Sequence, residues 1–559
     1  MRSFKPFPDL ASSYKVFIHR LEEEFKGYNP AKLKMDAMAG ITVTAVALPL
    51  ALAFGISSGA TAHAGLITAV IAGLVIGGLS GCSFQISGPT GAMSAILLPL
   101  VVKYGLDGIF IACVIAGVFL VIAGILNFGK VISIIPSPVI TGFTSGIALI
   151  IMIGQIDNFL GLEPRTSEGG IQKLFAYFSS GVDPNWQALL IGAVTVLILV
   201  FFPKKWNRYL PASLAALIIT TIACTALHLQ VKTIGEIPRS FLPDRRLPFN
   251  SINMDLVGNL LIPAISIALL GMIETLLCGE VGGRMKGEKM HAKQELIAQG
   301  IGNIIIPFFG GVPATAAIAR TSVAIKSGGQ TRLVSIFHAA GLAISMLVLA
   351  PIMSKIPMAA LAGVLMVTAF RMNEWAMIKY IFSKKFKSAI SKYIITMVAT
   401  VVFDLTIAIL AGVVFSCMLF IKQISDSTEI TIDSVDEKKL AEKHGLTVTK
   451  PLDFIRIVYL TGPIFFPTVH QLSSKLENLG SASVLILSMR GVPFIDTTGI
   501  MELNTLLNNL KAKKCRLMLS GVQKPVFVRL KRSGIVDEIG DDMVFWSAEQ
   551  AIASAQDMG

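Results

Sequence analysis

From about Ala37 to about Lys422 the chain alternates apolar runs of roughly 15 to 25 residues with short polar connections, and about 20 helical residues cross a bilayer core of about 30 Å. The pattern predicts membrane helices near 37–56, 63–81, 89–102, 108–126, 132–153, 184–202 and 209–228. After a polar stretch at 230–253 it predicts more near 259–280, 293–309, 313–325, 333–352, 357–370, 389–404 and 406–421. Recurrence on this scale is an all-α polytopic domain of about 14 spans, far more than a leader peptide explains. Two sets of seven crossings have opposite orientations, so an inverted 7+7 repeat is the symmetry to look for.

The third segment of each set supplies it. SGPTGAMSAI starts at Ser87 and GVPATAAIAR at Gly311; Pro89 and Pro313 lie 224 residues apart (313 − 89). The same offset sets Phe54-Gly55 on Cys278-Gly279. About 14 residues give roughly 21 Å of helix, too short to cross unaided, so each segment is expected to start partway into the membrane. Proline near the first turn loses nothing there, and the small residues after it leave backbone N–H groups uncovered. Two half-helices facing each other at mid-membrane offer an anion site with no formal cation. The plainer alternative is that Gly and Pro merely kink packed membrane helices.

Charge then marks individual residues. No Asp, Glu, Lys or Arg occurs between Ala37 and Val102, so Glu274 in the eighth span stands out. A carboxylate there is costly to ionise, and it should hold a proton, bind a cation or pair with a base. Arg320, seven residues beyond Pro313 and about 10 Å along a helix counted from it, brings a full positive charge near the same cavity unless it snorkels to the surface. Phe54, five residues after Pro49, is a candidate apolar wall; His63 and Asp404 read as interface residues.

Composition agrees with a membrane class: 53% hydrophobic and 15% charged residues, with mean hydropathy +0.70. The net charge of +13 is carried by the connections between apolar runs, which argues for topology rather than nucleic acid. The groups Lys204, Lys205 and Arg208; Arg284, Lys286, Lys289 and Lys293; and Arg371, Lys379, Lys384, Lys385 and Lys387 fall on one side. That places both termini in the cytoplasm, with the mixed-charge segment 1–36 inside and the acidic connection from Asp157 to Asp183 outside. The six cysteines (Cys82, Cys113, Cys224, Cys278, Cys417, Cys515) lack metal-ligand spacing, and no phosphate-binding GxxxxGK[ST] loop is present. Neither a cofactor nor an enzyme activity is expected.

QISGPTGA from Gln85, LPLALAFG from Leu48, LLGMIETLLCG from Leu269 and ELIAQGIGNIIIPFFGGVPATAAIART from Glu295 together resemble the sulfate permease (SulP) family, relatives of the solute-carrier-26 anion transporters. The resemblance implies a mobile core of spans one to four and eight to eleven, a gate domain from the others, homodimers and an elevator-like motion. It also implies substrate contacts at Phe54, Thr90, Gly91, Ala317 and Arg320. Sodium-coupled bicarbonate members look to have Asp and Thr on the eighth span and Thr on the tenth, where this chain has Glu274, Cys278 and Ile318. With two oxygen donors missing for a hard cation, a proton at Glu274 is the better coupling ion.

From about Gln423 the apolar runs shorten to strand length. FIRIVYL from Phe454, VLILSM from Val484 and CRLMLSGV from Cys515 predict strands, with helices from Val469 and Gly499 between them: an α/β module within 423–559. It resembles the STAS domain that ends SulP proteins, related to anti-sigma-factor antagonists, and a cytoplasmic partner is possible for it. The resemblance sets Asp496 and Thr497 of VPFIDTTGI at a regulatory phosphorylation position; an ordinary helix N-cap explains the same two residues. Three functions stay open: a proton-coupled secondary transporter of small anions (sulfate, bicarbonate or C4-dicarboxylate class), an anion channel or exchanger, and a membrane-tethered anion sensor.

Overall fold

A computed structural model describes residues 10–130, 136–163, 177, 183–203, 205–206, 210–243, 245–247, 254–403, 405–435, 452–476 and 482–557. Lys204, Arg208, Asp404 and most of the connection from Asp157 to Asp183 lie outside these residues. The chain divides into two units, Met1–Val413 and Val414–Gly559.

The first unit opens with helix α1 (Leu10–Phe25), followed by α2 (Pro30–Ser57) and α3 (Ala62–Leu79). Asn29 caps α2 by accepting from Lys32 N at 3.0 Å, with proline at the first helical position. The middle of α3 widens to a π-helix over Ala72–Ile76, and Ser335 Oγ donates to Gly73 O there at 3.0 Å. Strand β1 (Ser87–Gly88) leads into α4 (Gly91–Ile125), which is broken at Gly105 with φ 69° and so holds the third and fourth predicted spans. Next come α5 (Ser137–Gly154), α6 (Trp186–Phe201) and α7 (Ala212–Ala226). The second set comprises α8 (Met254–Lys286), α9 (Ala292–Ile305), strand β2 (Thr315–Ala316), α10 (Ile318–Lys326), α11 (Leu333–Met353), α12 (Met358–Met372), α13 (Trp375–Ser383), α14 (Lys387–Val402) and α15 (Leu405–Asp426).

Among the described residues each predicted span contains helix. Among the described residues six helices (α2, α3, α4, α5, α8 and α11) are long and apolar enough to cross a membrane, and α6, α7 and α12 are shorter apolar helices. Packing is heaviest of α4 on α9 and α8, of α5 on α14, and of α2 on α11 and α3, with α12 on α6 next. Small residues permit the closest crossing. A Cβ on Gly117 of α4 would lie 2.7 Å from Gly300 O of α9, and one on Gly300 lies 2.6 Å from Gly117 O.

The second unit is an α/β module. Its sheet runs β3 (Glu429–Ser434), β4 (Ile455–Thr461), β5 (Val484–Gly491), β6 (Arg516–Ser520), β7 (Val544–Phe545), with β3 antiparallel to β4 and the rest parallel. Buried from Val484 to Met489, β5 is central and covered on both faces. Leu485 and Leu487 pack with Leu503 and Leu507 of helix α16 (Thr497–Ala512); Ile486 packs with Ile552 of the last helix, Ala548–Gln556, on the other side. The three predicted strands are β4, β5 and β6; the edge strands β3 and β7 escaped because one alternates with polar residues and the other has two residues.

Candidate functional site

The two half-helices meet through a pairing that needs both halves of the chain. β1 and β2 are antiparallel, Ser87 opposite Ala316 and Gly88 opposite Thr315, and Ala317 N donates to Ile86 O at 3.0 Å. This patch of sheet satisfies backbone groups that helix cannot reach and brings the starts of α4 and α10 together in the membrane unit. Thr90 caps α4 by accepting from Met93 N at 3.3 Å. Ala317, at the equivalent place before α10, provides no side-chain cap, so the first-turn N–H groups of α10 lack one.

The prolines are not where the sequence pattern put them. Pro89 precedes the cap and Pro313 lies five residues before Ile318, so both sit in extended entry segments rather than in the first helical turn. The entries also differ in length: the prolines are 224 residues apart but the caps Thr90 and Ala317 are 227 apart (317 − 90). Arg320 is accordingly the third residue of its helix, not well along it, which brings its charge to the helix mouth.

Around this junction stand the predicted residues. Thr90 Oγ1 donates to Glu274 Oε2 of α8 at 2.9 Å. Arg320 is 1% exposed, so it does not snorkel; its Nη2 donates to Pro89 O, and its Nη1 is buried with no hydrogen-bond partner. Phe54 of α2 is buried with its ring against Gly91: a Cβ on Gly91 would meet Phe54 Cε1 at 3.0 Å and Ile151 Cδ1 at 2.5 Å. A Cβ on Gly88 would lie 2.5 Å from Arg320 Nη1, so the guanidinium lies directly over the strand. Cys278 donates to Thr321 Oγ1 at 3.2 Å, while Ile318 is exposed. His63 is buried, with Nε2 2.7 Å from Ser240 O.

A supporting set of polar side chains was not singled out from the sequence. Asn303 of α9 accepts from Ala314 N at 2.8 Å and donates to Ala314 O at 3.0 Å, replacing a strand partner for the entry to α10. Gln299 donates to the same carbonyl at 2.6 Å. Thr68 of α3 accepts from Val312 N at 2.8 Å, Gln85 donates to Thr275 O at 2.8 Å, and Thr321 accepts from Ile86 N at 3.0 Å. Asn303 and Gln299, four residues apart on one face of an apolar span, were the available signal. Asn303→Ala leaves the buried Ala314 N without its acceptor, at about 1–3 kcal/mol, while Ala314 O keeps Gln299. It is expected to lower the thermal unfolding midpoint of purified protein well below that of Asn303→Asp, which keeps an acceptor. Among the described residues no group of three or more His, Cys, Asp or Glu side chains comes together for a metal ion.

In the second unit Asp496 caps α16: Oδ1 accepts from Gly499 N at 2.7 Å and Oδ2 from Phe466 N at 3.2 Å. Thr497 stands exposed as the first helical residue. Losing the cap in Asp496→Ala costs about 1 kcal/mol. The expected result is a small fall in the stability of this unit by denaturant unfolding.

Residues 33–398 match the sulfate permease family and residues 447–551 the STAS domain. The putative sulfate transporter YvdB of Bacillus subtilis is 36% identical, over 94% of this chain and 98% of its own. The bicarbonate transporter BicA of Synechocystis is 30% identical, over 94% of each. The transmembrane domain of a cyanobacterial BicA superposes with TM-score 0.61 at 31% identity, covering 70% of this chain and 98% of that one. Murine solute carrier 26 member A9, an anion transporter solved in an inward-facing state, shares the fold at TM-score 0.84 and 19% identity, covering 100% and 96%. With this match across the membrane unit and a relative of that identity along nearly the whole chain, the protein belongs to the sulfate permease family and carries a STAS domain after its membrane helices.

Proposed function

We propose that this member of the sulfate permease family is a secondary active transporter that carries a small anion of the sulfate, bicarbonate or C4-dicarboxylate class together with protons. The single observation that supports it most is Arg320 Nη1, buried and without a partner beside the ends of both half-helices. A desolvated guanidinium N–H left unmatched is costly, and a bound anion oxygen removes that cost. The uncapped start of α10 adds N–H donors and the positive end of a helix dipole. Phe54, Gly91 and Ala317 complete the contact set as an apolar wall and two positions with little side chain.

Glu274 supplies the coupling. Its carboxylate accepts from Thr90, the residue that caps α4, so it borders the anion position. An anion entering beside an ionised carboxylate in low dielectric is repelled; protonation removes that repulsion, so anion and proton favour each other's binding. Sodium is disfavoured by the same surroundings, because Cys278 and Ile318 add no oxygen donor. An elevator-like displacement of the body that holds the half-helices carries the pair across, within a homodimer whose termini lie in the cytoplasm of the bacterial inner membrane. In the tail Asp496 fixes the loop-to-helix turn, and Thr497 is the exposed hydroxyl open to modification.

The test is proton influx into proteoliposomes, read by an internal pH dye while sulfate, bicarbonate, chloride, fumarate and succinate are presented in turn. Acidification with one class of anion supports proton symport and identifies the substrate. Uptake of radiolabelled anion with no acidification replaces symport by a channel or exchanger; saturable binding with no uptake makes the chain an anion sensor.

A further inference from the structure

The turn at Gly78–Gly81, which closes α3 and leads through 82–86 to β1, is held by charged side chains from three separate elements. Arg332, at the start of α11, donates through Nη1 to Gly78 O at 2.9 Å and Ser80 O at 3.2 Å. Glu295, buried at the start of α9, accepts from Ser80 Oγ at 2.5 Å and from Gly81 N at 2.7 Å. Arg20 of α1 donates to Gly81 O at 3.1 Å.

Arg332 is in turn fixed by the N-terminal helix. Glu24 of α1 accepts from Arg332 Nε at 2.9 Å and Nη2 at 2.7 Å, and its other oxygen accepts from Arg332 N at 2.6 Å. The two side chains are only 7% and 10% exposed, and the guanidinium lies 5.4 Å from the Phe17 ring centroid of α1. Helix α11 has no side-chain cap of its own. Carboxylates from elsewhere hold the segment that leads into it: Glu24 takes Arg332 N, and buried Asp36 takes Gln330 N at 2.5 Å and Thr331 N at 3.2 Å. Tyr28 donates to Asp36 at 2.9 Å, and burial together with that bond pushes its phenol up to about 12, so it remains a donor.

A forked, nearly buried ion pair gives little net stability over apolar packing but fixes geometry strictly. Here it joins α1 to the one turn that sets where β1 begins, and β1 is two residues from Thr90. We infer that helix α1 is a working part of the anion-binding body: Glu24, acting through Arg332, is a positioning residue that sets the first half-helix at the height its anion requires. This rests on the anion-binding role given above.

The experiment compares Glu24→Gln with wild type in proteoliposomes, using whichever of sulfate, bicarbonate and succinate the wild type takes up fastest. KM and kcat per folded molecule are measured, and amide hydrogen exchange is followed over residues 78–90. The expected result is a KM about tenfold higher with kcat within twofold, faster exchange across 78–90, and recovery of both in Glu24→Asp. Should Glu24→Gln fail to reach the membrane, Arg332→Lys keeps the charge but loses the fork and carries the same expectation. An unchanged KM overturns the proposal, whether yield alone falls or exchange alone rises. If wild type handles none of these anions, the transport role fails, while exchange still decides the clamp: unchanged protection in Glu24→Gln overturns it.

Discussion

Arg320→Ala is expected to weaken anion binding by roughly 30-fold while leaving the fold in place. The guanidinium has one donor engaged on Pro89 O and one, Nη1, with no partner. A hydrogen bond to a charged group in a buried site is worth about 1.5–3 kcal/mol, and about 2 kcal/mol corresponds to that factor. Removing the side chain also removes a buried positive charge, so the loss of stability stays small. The check is equilibrium binding alongside thermal unfolding of the same preparation. Arg320→Lys keeps the charge but not the planar fork, and is expected to fall between alanine and wild type.

Glu274→Gln is expected to keep anion binding and abolish proton movement. Glutamine has the size of the protonated acid and still accepts from Thr90, so the cap of α4 is preserved. It mimics the form that favours the anion, and affinity should therefore lose its dependence on pH. Wild-type affinity should fall as pH rises, because the ionised carboxylate repels the anion. The measurement is anion affinity across a pH series for both proteins, with internal acidification recorded in parallel. Loss of anion binding in Glu274→Gln makes the glutamate a structural residue instead.

Much of the membrane architecture was legible because each crossing must be long, apolar and bounded by charge. Short third spans with proline and small residues disclosed the half-helices and the neighbourhood of Thr90, Gly91 and Arg320. Their starts were misread by a few residues, since the pairing of Ser87 with Ala316 and Gly88 with Thr315 joins distant halves and has no local pattern. Asn303 and Gln299 looked like ordinary polar residues within a span; their role emerges only when Ala314 is beside them. Glu24 lay in a segment read as a cytoplasmic lead, and its partner Arg332 is 308 positions away. Edge strands β3 and β7 carry too few buried residues to announce themselves.

The most direct test of the central claim, that the paired half-helix ends with Arg320 bind a small anion, is equilibrium binding of radiolabelled sulfate and bicarbonate to the purified protein. The account predicts saturable binding of at least one of them, displaced by the unlabelled anion and weakened roughly 30-fold by Arg320→Ala. Saturable binding that is equally strong in wild type and Arg320→Ala, or none for any small anion tried, contradicts it.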